Sequence, residues 1–238
     1  MKKLLLISNS TMPGEPFFTW PRQYLVDFLK GSGPVAFLPY AGVSLGMDKY
    51  FDIVERMLGQ LAIDSFSLHH EKDPIAALDR AGAIMTGGGN SFCLARSIQQ
   101  LSLVEKIRDM VDSGTPYVGW SAGANVACPT IKTTNDMPIV EVTTLEAFRL
   151  VHFQINPHYT EATLPDHGGE SRIDRLKEFL IMNPKMRVAG LPEGSLLRIE
   201  GNQLTVHGKA IKVFEAPDRV TEYAEGSRLS LTLAPLAE

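Results

Sequence analysis

Short apolar runs recur along this chain, each closed by small or turn-forming residues and followed by a segment of helical period. Residues 4–8 form the first run. Residues 35–38 form the second, closed by Pro39-Tyr40-Ala41-Gly42. Residues 83–86 run into Gly87-Gly88-Gly89-Asn90, residues 116–120 into Ser121, and residues 188–191 into Pro192-Glu193-Gly194. A run that is apolar at consecutive positions is buried on both faces, which is the mark of a parallel strand covered by helices. Between the runs, residues 48–61 place Tyr50, Phe51, Val54, Met57, Leu58 and Leu61 on one helical face. Residues 73–81 start on Asp73 as a cap with Pro74 in the first turn. Further helices are expected after Asn90, over 102–111 and over 170–182, and a strand over 63–68. The alternation predicts an α/β fold: a single domain, with a mostly parallel sheet and helices on both faces. Residues 196–200 and 203–206 flank Gly201-Asn202 as a hairpin, and 211–214 add a strand. The last dozen residues carry no pattern and read as a loose tail.

The 238 residues suffice for a substantial core, and the 44% hydrophobic and 21% charged content is that of an ordinary globular protein. The net charge of -4 and the lack of a dense Lys/Arg cluster give no support to a nucleic-acid partner. Lys2-Lys3 precede an apolar run that stops at Ile7, too short for a signal core, so a first strand is expected. No run approaches the roughly 20 apolar residues of a membrane span, so no membrane partner and a cytoplasmic location are expected. Cys93 and Cys128 read as reduced thiols. No metal or cofactor is expected. His69-His70 reads as a solvated strand end, because neighbours on a strand point apart.

Gly119-Trp120-Ser121-Ala122-Gly123 places a serine on a tight strand-to-helix turn, with glycines where a side chain would collide with neighbouring backbone. Such a turn presents Ser121 as a candidate nucleophile, and the following helix start aims free amides at it. A serine nucleophile needs a base. His158, just past a short strand and fixed by Pro157, is one candidate; His152, His167 and His207 stay open on local context. Glu193, at a strand end, could orient that base or simply form a turn. The order Ser121, His158, Glu193 differs from the Ser, acid, His order of α/β-hydrolases, which implies another sheet topology. Ala122 N–H and an N–H of Gly88 or Gly89 are candidate oxyanion donors. A phosphate-binding reading of the glycine run lacks the Lys-Ser/Thr pair or Gly-x-Gly-x-x-Gly spacing it needs.

Together these segments resemble the peptidase E family of α-aspartyl dipeptidases, from Leu4 to about Gly194. The resemblance is carried by Ser8-Asn9-Ser10-Thr11, Pro39-Tyr40-Ala41-Gly42-Val43, Gly87-Gly88-Gly89-Asn90, Gly119 to Asn125, Cys128-Pro129-Thr130-Ile131, Thr133 to Val140, Ile155-Asn156-Pro157-His158 and Leu191-Pro192-Glu193-Gly194. It implies a Ser121–His158–Glu193 triad on a class I glutamine amidotransferase-like (flavodoxin-like) sheet, and a small peptide substrate of the form Asp-Xaa. Arg172 resembles the arginine that would clamp the substrate carboxylate. Asp136, as partner of the free α-amino group, and Asn90 are the other expected substrate contacts. Three rivals stand beside this reading. One is a hydrolase of another aspartyl amide, such as cyanophycin. A glutamine amidotransferase would want Cys where this chain has Ser121. A catalytically inactive small-molecule binder would not label at Ser121.

Overall fold

The structure, a computed structural model, describes residues 1–163 and 168–234. The elements run β1 (Lys3–Ile7), α1 (Arg22–Leu29), β2 (Val35–Leu38), α2 (Met47–Gly59), β3 (Ser65–Ser67), α3 (Pro74–Ala77), β4 (Ala83–Thr86), α4 (Ser91–Gln100), α5 (Leu103–Asp112), β5 (Tyr117–Trp120) and α6 (Ala122–Asn125). They continue as β6 (Gln154–Pro157), α7 (Arg172–Met182), β7 (Val188–Leu191), β8 (Ser195–Glu200), β9 (Gln203–Gly208), β10 (Ile211–Ala216), β11 (Arg219–Tyr223) and β12 (Arg228–Ser230). The α/β class is the one the sequence predicts. The main sheet has the order β12-β9-β8-β1-β5-β4-β2-β3, with β6, β7, β10 and β11 in a second sheet. From β3 to β1 the main sheet is parallel; β8, β9 and β12 extend it antiparallel. β8 occupies the free edge of β1, so β6 and β7 pair with each other instead.

The continuous apolar strands divide their side chains between two cores. Leu5, Ile7, Val35, Phe37, Ala83, Met85 and Val118 pack against α1 and α2. Their neighbours Leu4, Leu6, Ala36, Leu38, Ile84 and Tyr117 pack on the opposite face with α3, α4, α5 and the inner side of the second sheet. On the outer side of that sheet, α7 lays Leu176 and Leu180 over Val188 and Phe214. This period-two partition fixes the register, because a slip of one residue would exchange the two cores.

The structure departs from the sequence reading in three places. First, the tail is not loose over its described part: β12 pairs with β9, and Leu229 and Leu233 are fully buried. Two isolated leucines make too short a pattern to register as a strand. Second, α1 and β11 lie where the sequence predicts no element. α1 has no side-chain cap and is held by burial of Leu25, Phe28 and Leu29, while β11 is an edge strand with no buried position. Third, β3 ends at Ser67 and the chain enters a 3₁₀ turn over Leu68–His70. His69 and His70 therefore do not sit on a strand, and both rings converge on Asp48.

Candidate active site

Ser121 follows β5 directly, with φ 52° and ψ −115°. This strained turn is clamped from several sides. Its N–H donates to Ile7 O at the end of β1, at 3.0 Å. Trp120 is driven into the α1/α2 core, where it stacks on Phe37 and meets Phe18 edge-on. A Cβ on Gly119 would lie 2.3 Å from Gly123 O, and one on Gly123 would lie 2.1 Å from Thr86 O. Both flanking glycines are thus required by close backbone approach. α6 is a single turn, so its contribution to the site is its first N–H groups rather than a helix dipole.

His158 and Glu193 come from the second sheet, at the ends of β6 and β7. His158 Nε2 lies 2.8 Å from Ser121 Oγ, and its Nδ1 lies 2.9 Å from Glu193 Oε1. With the carboxylate accepting the Nδ1 proton, the Nε2 lone pair faces the serine hydroxyl. The three side chains form one hydrogen-bonded line from solvent-accessible carboxylate to half-buried serine. Of the competing histidines, His152 is exposed and His207 stacks near Tyr24; His167 lies outside the described residues.

Gly88 passes beside the serine, close enough that a Cβ there would sit 3.0 Å from Ser121 Cβ. The loop is anchored at both ends, by Gly87 N–H to Leu38 O and Asn90 N–H to Ala41 O. Between these anchors, the N–H groups of Gly88 and Gly89 have no partner among the described residues, nor does Ala122 N–H. The buried Tyr50 hydroxyl donates to Gly88 O at 3.1 Å. In a trans peptide, that turns the Gly89 N–H away from Tyr50.

Several polar residues that the sequence reading left without a role position this site. Ser8, fully buried, accepts from His158 N–H at 3.0 Å and donates to Leu191 O at 2.8 Å. It holds His158 in a left-handed conformation, φ 51°, that costs a non-glycine residue about 1–2 kcal/mol. Asn9 Oδ1 accepts from Gly194 N–H beside Glu193. Buried Asn125 donates to Ile155 O, Asn156 donates to Thr133 O, and Asn135 donates to Pro157 O. The Thr133 to Asp136 segment is therefore a splint for β6, the strand that carries His158. Family motifs at Ser8-Asn9 and Thr133-Thr134-Asn135 were the available signal, but a supporting hydrogen bond has no periodicity to reveal it.

The expected substrate contacts are placed as follows. Asn90 caps α4, accepting from Phe92 and Cys93 N–H, and its Nδ2 donates to Met137 O. Both ends of its amide are thereby engaged within the protein. Asp136 Oδ2 accepts from Ser91 N–H and the Thr134 hydroxyl. Arg172 is the first residue of α7, behind a Ser171–Asp174 capping box. It is half-buried, has no carboxylate partner among the described residues, and its pKa is lowered by desolvation and by Arg175.

A serine at a strand end of the main sheet, hydrogen-bonded to a histidine and a carboxylate at strand ends of the second, is the equipment of a hydrolase. The chain belongs to peptidase family S51, whose model matches residues 4–207. It is 42% identical over 234 residues to the peptidase E of Nostoc sp., covering 98% of this chain and 97% of that protein. It is 39% identical over 227 residues to the peptidase E of Salmonella typhimurium, covering 95% and 99% respectively. The fold is shared with a peptidase from an acI-B1 actinobacterium, with a TM-score of 0.69 at 17% identity over 96% of each chain. No helix among the described residues is long and apolar enough to cross a membrane.

Proposed function

We propose that this S51 peptidase is a serine exopeptidase that hydrolyses dipeptides of the form Asp-Xaa through an acyl-enzyme. The observation that carries the reading is the Ser121–His158–Glu193 line, at 2.8 and 2.9 Å, with backbone N–H groups near Ser121 that have no partner among the described residues. Ser121 Oγ attacks the carbonyl carbon of the Asp–Xaa bond while its proton passes to His158 Nε2. Glu193 holds the Nδ1 proton and offsets the imidazolium charge. The carbonyl electron pair moves onto oxygen, where Ala122 N–H and an N–H of Gly88 or Gly89 receive it. Collapse breaks the C–N bond as His158 returns the proton to the leaving amine. Water, deprotonated by His158, then attacks the ester and releases aspartate.

Arg172 is the proposed clamp for the aspartate side chain. A half-buried guanidinium with no carboxylate partner among the described residues is poised to gain from an external one. Asp136 is the proposed counter-charge for the substrate amine, through Oδ1, since Oδ2 is committed to Ser91 and Thr134. Covalent labelling with a serine-directed phosphonate, read by intact mass, should add one equivalent to the wild type and none to Ser121→Ala. Ser121→Ala should lower Asp-Leu hydrolysis by about 10⁶-fold, as loss of a triad serine does. Wild-type turnover in that variant would exclude the scheme. Arg172→Met should erase the preference for Asp over Leu or Ala at the first position; an intact preference would remove Arg172 from the site.

A further inference from the structure

At the far edge of the main sheet, beyond β4 and β2, a second cluster of donor atoms has no part in the chemistry above. β3 lies three strand spacings from β5, roughly 14 Å at about 4.8 Å per spacing. The 3₁₀ turn that follows β3 is pinned by fully buried Leu68, and it sends two consecutive imidazoles in the same direction. His69 Nε2 lies 2.9 Å and His70 Nε2 2.8 Å from one oxygen, Oδ1 of Asp48, in the first turn of α2. The ring centroids lie 3.9 Å apart with the planes tilted by 42°, and Phe51 supports His70 edge-on at 5.7 Å.

We propose that Asp48, His69 and His70 form a site for one divalent transition-metal ion, separate from Ser121. The three ligand atoms all lie within 4.8 Å of one another. Two imidazoles and one carboxylate form a donor set suited to Zn²⁺, Co²⁺ or Ni²⁺, whereas Ca²⁺ and Mg²⁺ favour all-oxygen shells. Three protein ligands leave a coordination position for water. Bonds of about 2.0–2.1 Å in tetrahedral geometry set ligand atoms about 3.4 Å apart, so the cluster must open by roughly half an ångström. Asp48 and His70 can supply that movement, since their side chains are 82% and 51% exposed.

The support behind His69 is that of a metal ligand. Its side chain is 8% exposed, and its Nδ1 lies 2.5 Å from Ser67 Oγ. Ser67 Oγ in turn lies 3.4 Å from Phe37 O, a carbonyl that can only accept. A metal on His69 Nε2 would leave the Nδ1 proton to Ser67 Oγ, whose own hydroxyl faces Phe37 O. A cation between His69 Nε2 and Asp48 Oδ1 would be attracted by both atoms. Ligating histidines commonly have their second nitrogen fixed in this way. The bound ion would tie the start of α2 to the turn after the three-residue edge strand β3.

The test is titration of the purified wild-type protein with Co²⁺, followed by visible absorption, and with Zn²⁺, followed by calorimetry. His70→Ala and Asp48→Asn are the main variants, because both residues are exposed and neither is in the Ser121 machinery. The wild type should take up one equivalent that both variants lose, and Co²⁺ should give the ligand-field bands of a low-coordinate nitrogen–oxygen site. Ser67→Ala should weaken that equivalent by about 10–100-fold. Phosphonate labelling of Ser121 should be unchanged in His70→Ala, which separates this site from the proposed peptidase reading. If the wild type binds no equivalent of either ion, or if both variants retain it, the cluster is an Asp–His contact only and the proposal fails.

Discussion

Replacing Ser8 with alanine isolates the contribution of the scaffold from that of the reacting groups. Among the described residues, Ser8 makes no hydrogen bond to Ser121 Oγ or to the His158 ring. Its hydroxyl bridges the second sheet, accepting from His158 N–H at 3.0 Å and donating to Leu191 O at 2.8 Å, at a fully buried position. Each such bond contributes about 1 kcal/mol net, and each buried group left unpaired costs about 1–3 kcal/mol. With no solvent to take over, Ser8→Ala should cost about 2–4 kcal/mol. Part of the loss appears as freedom at His158, whose left-handed backbone is no longer pinned. An imidazole displaced by about 1 Å reduces rate by about 10²-fold. Urea denaturation should show a lower midpoint at unchanged slope. The rate of phosphonate labelling at Ser121 should fall about 10–100-fold at urea concentrations where the variant is still folded. Ser10→Ala is the control, since among the described residues Ser10 bonds through its hydroxyl only to Thr11, and it should stay within about 0.5 kcal/mol. If Ser8→Ala matched that control in both stability and labelling rate, Ser8 could not be what positions His158.

Tyr50→Phe removes the hydroxyl that holds Gly88 O at 3.1 Å while keeping the ring in the core. It should lower kcat for Asp-Leu by about tenfold with little change in KM, the signature of a donor aimed at the transition state; a KM effect alone would refute this. Asn90→Ala removes the cap of α4 and should destabilise by about 1 kcal/mol or more, seen as a lower Tm. An unchanged Tm would return Asn90 to the substrate. Burial drives the Cys128 thiol far above its usual range and raises Cys93 less. A thiol reagent at pH 8 should therefore titrate Cys93 first in the folded protein and both thiols in urea, and equal native rates would contradict the packing.

The parts of this fold legible in the sequence are those with a period or a forced backbone. β2, β4 and β7 appear as unbroken apolar runs because both faces are covered. α2 appears because Tyr50, Phe51, Val54, Met57 and Leu58 share one face, and the turn at Ser121 because Gly119 and Gly123 cannot carry a Cβ. The rest was hidden for physical reasons. α1 has no cap and exists only through burial against the sheet. The convergence of His69 and His70 depends on where β3 ends, and a one-residue difference there decides whether neighbouring rings diverge or meet. Asn90 and Asp136 also accept from the first N–H groups of α4, a structural task that the sequence does not separate from a substrate contact. A short polar side chain satisfies either demand, and only the fold shows its neighbours.

Ser121 stands on the main sheet, whereas His158 and Glu193 stand on the second, so the 2.8 Å contact between serine and histidine crosses a seam. The chain's order of synthesis gives that seam a meaning in time. β1 lies between β5 and β8, and β8 begins two residues after Glu193. On a ribosome adding about 5–20 residues per second, the turn bearing Ser121 precedes β8 by several seconds. Until His158 is made, 37 residues after Ser121, the hydroxyl has no imidazole beside it, and until β8 is made β1 has one open edge. The nascent chain thus carries a lone serine hydroxyl first, and the Ser121–His158–Glu193 line only once residue 193 has been added.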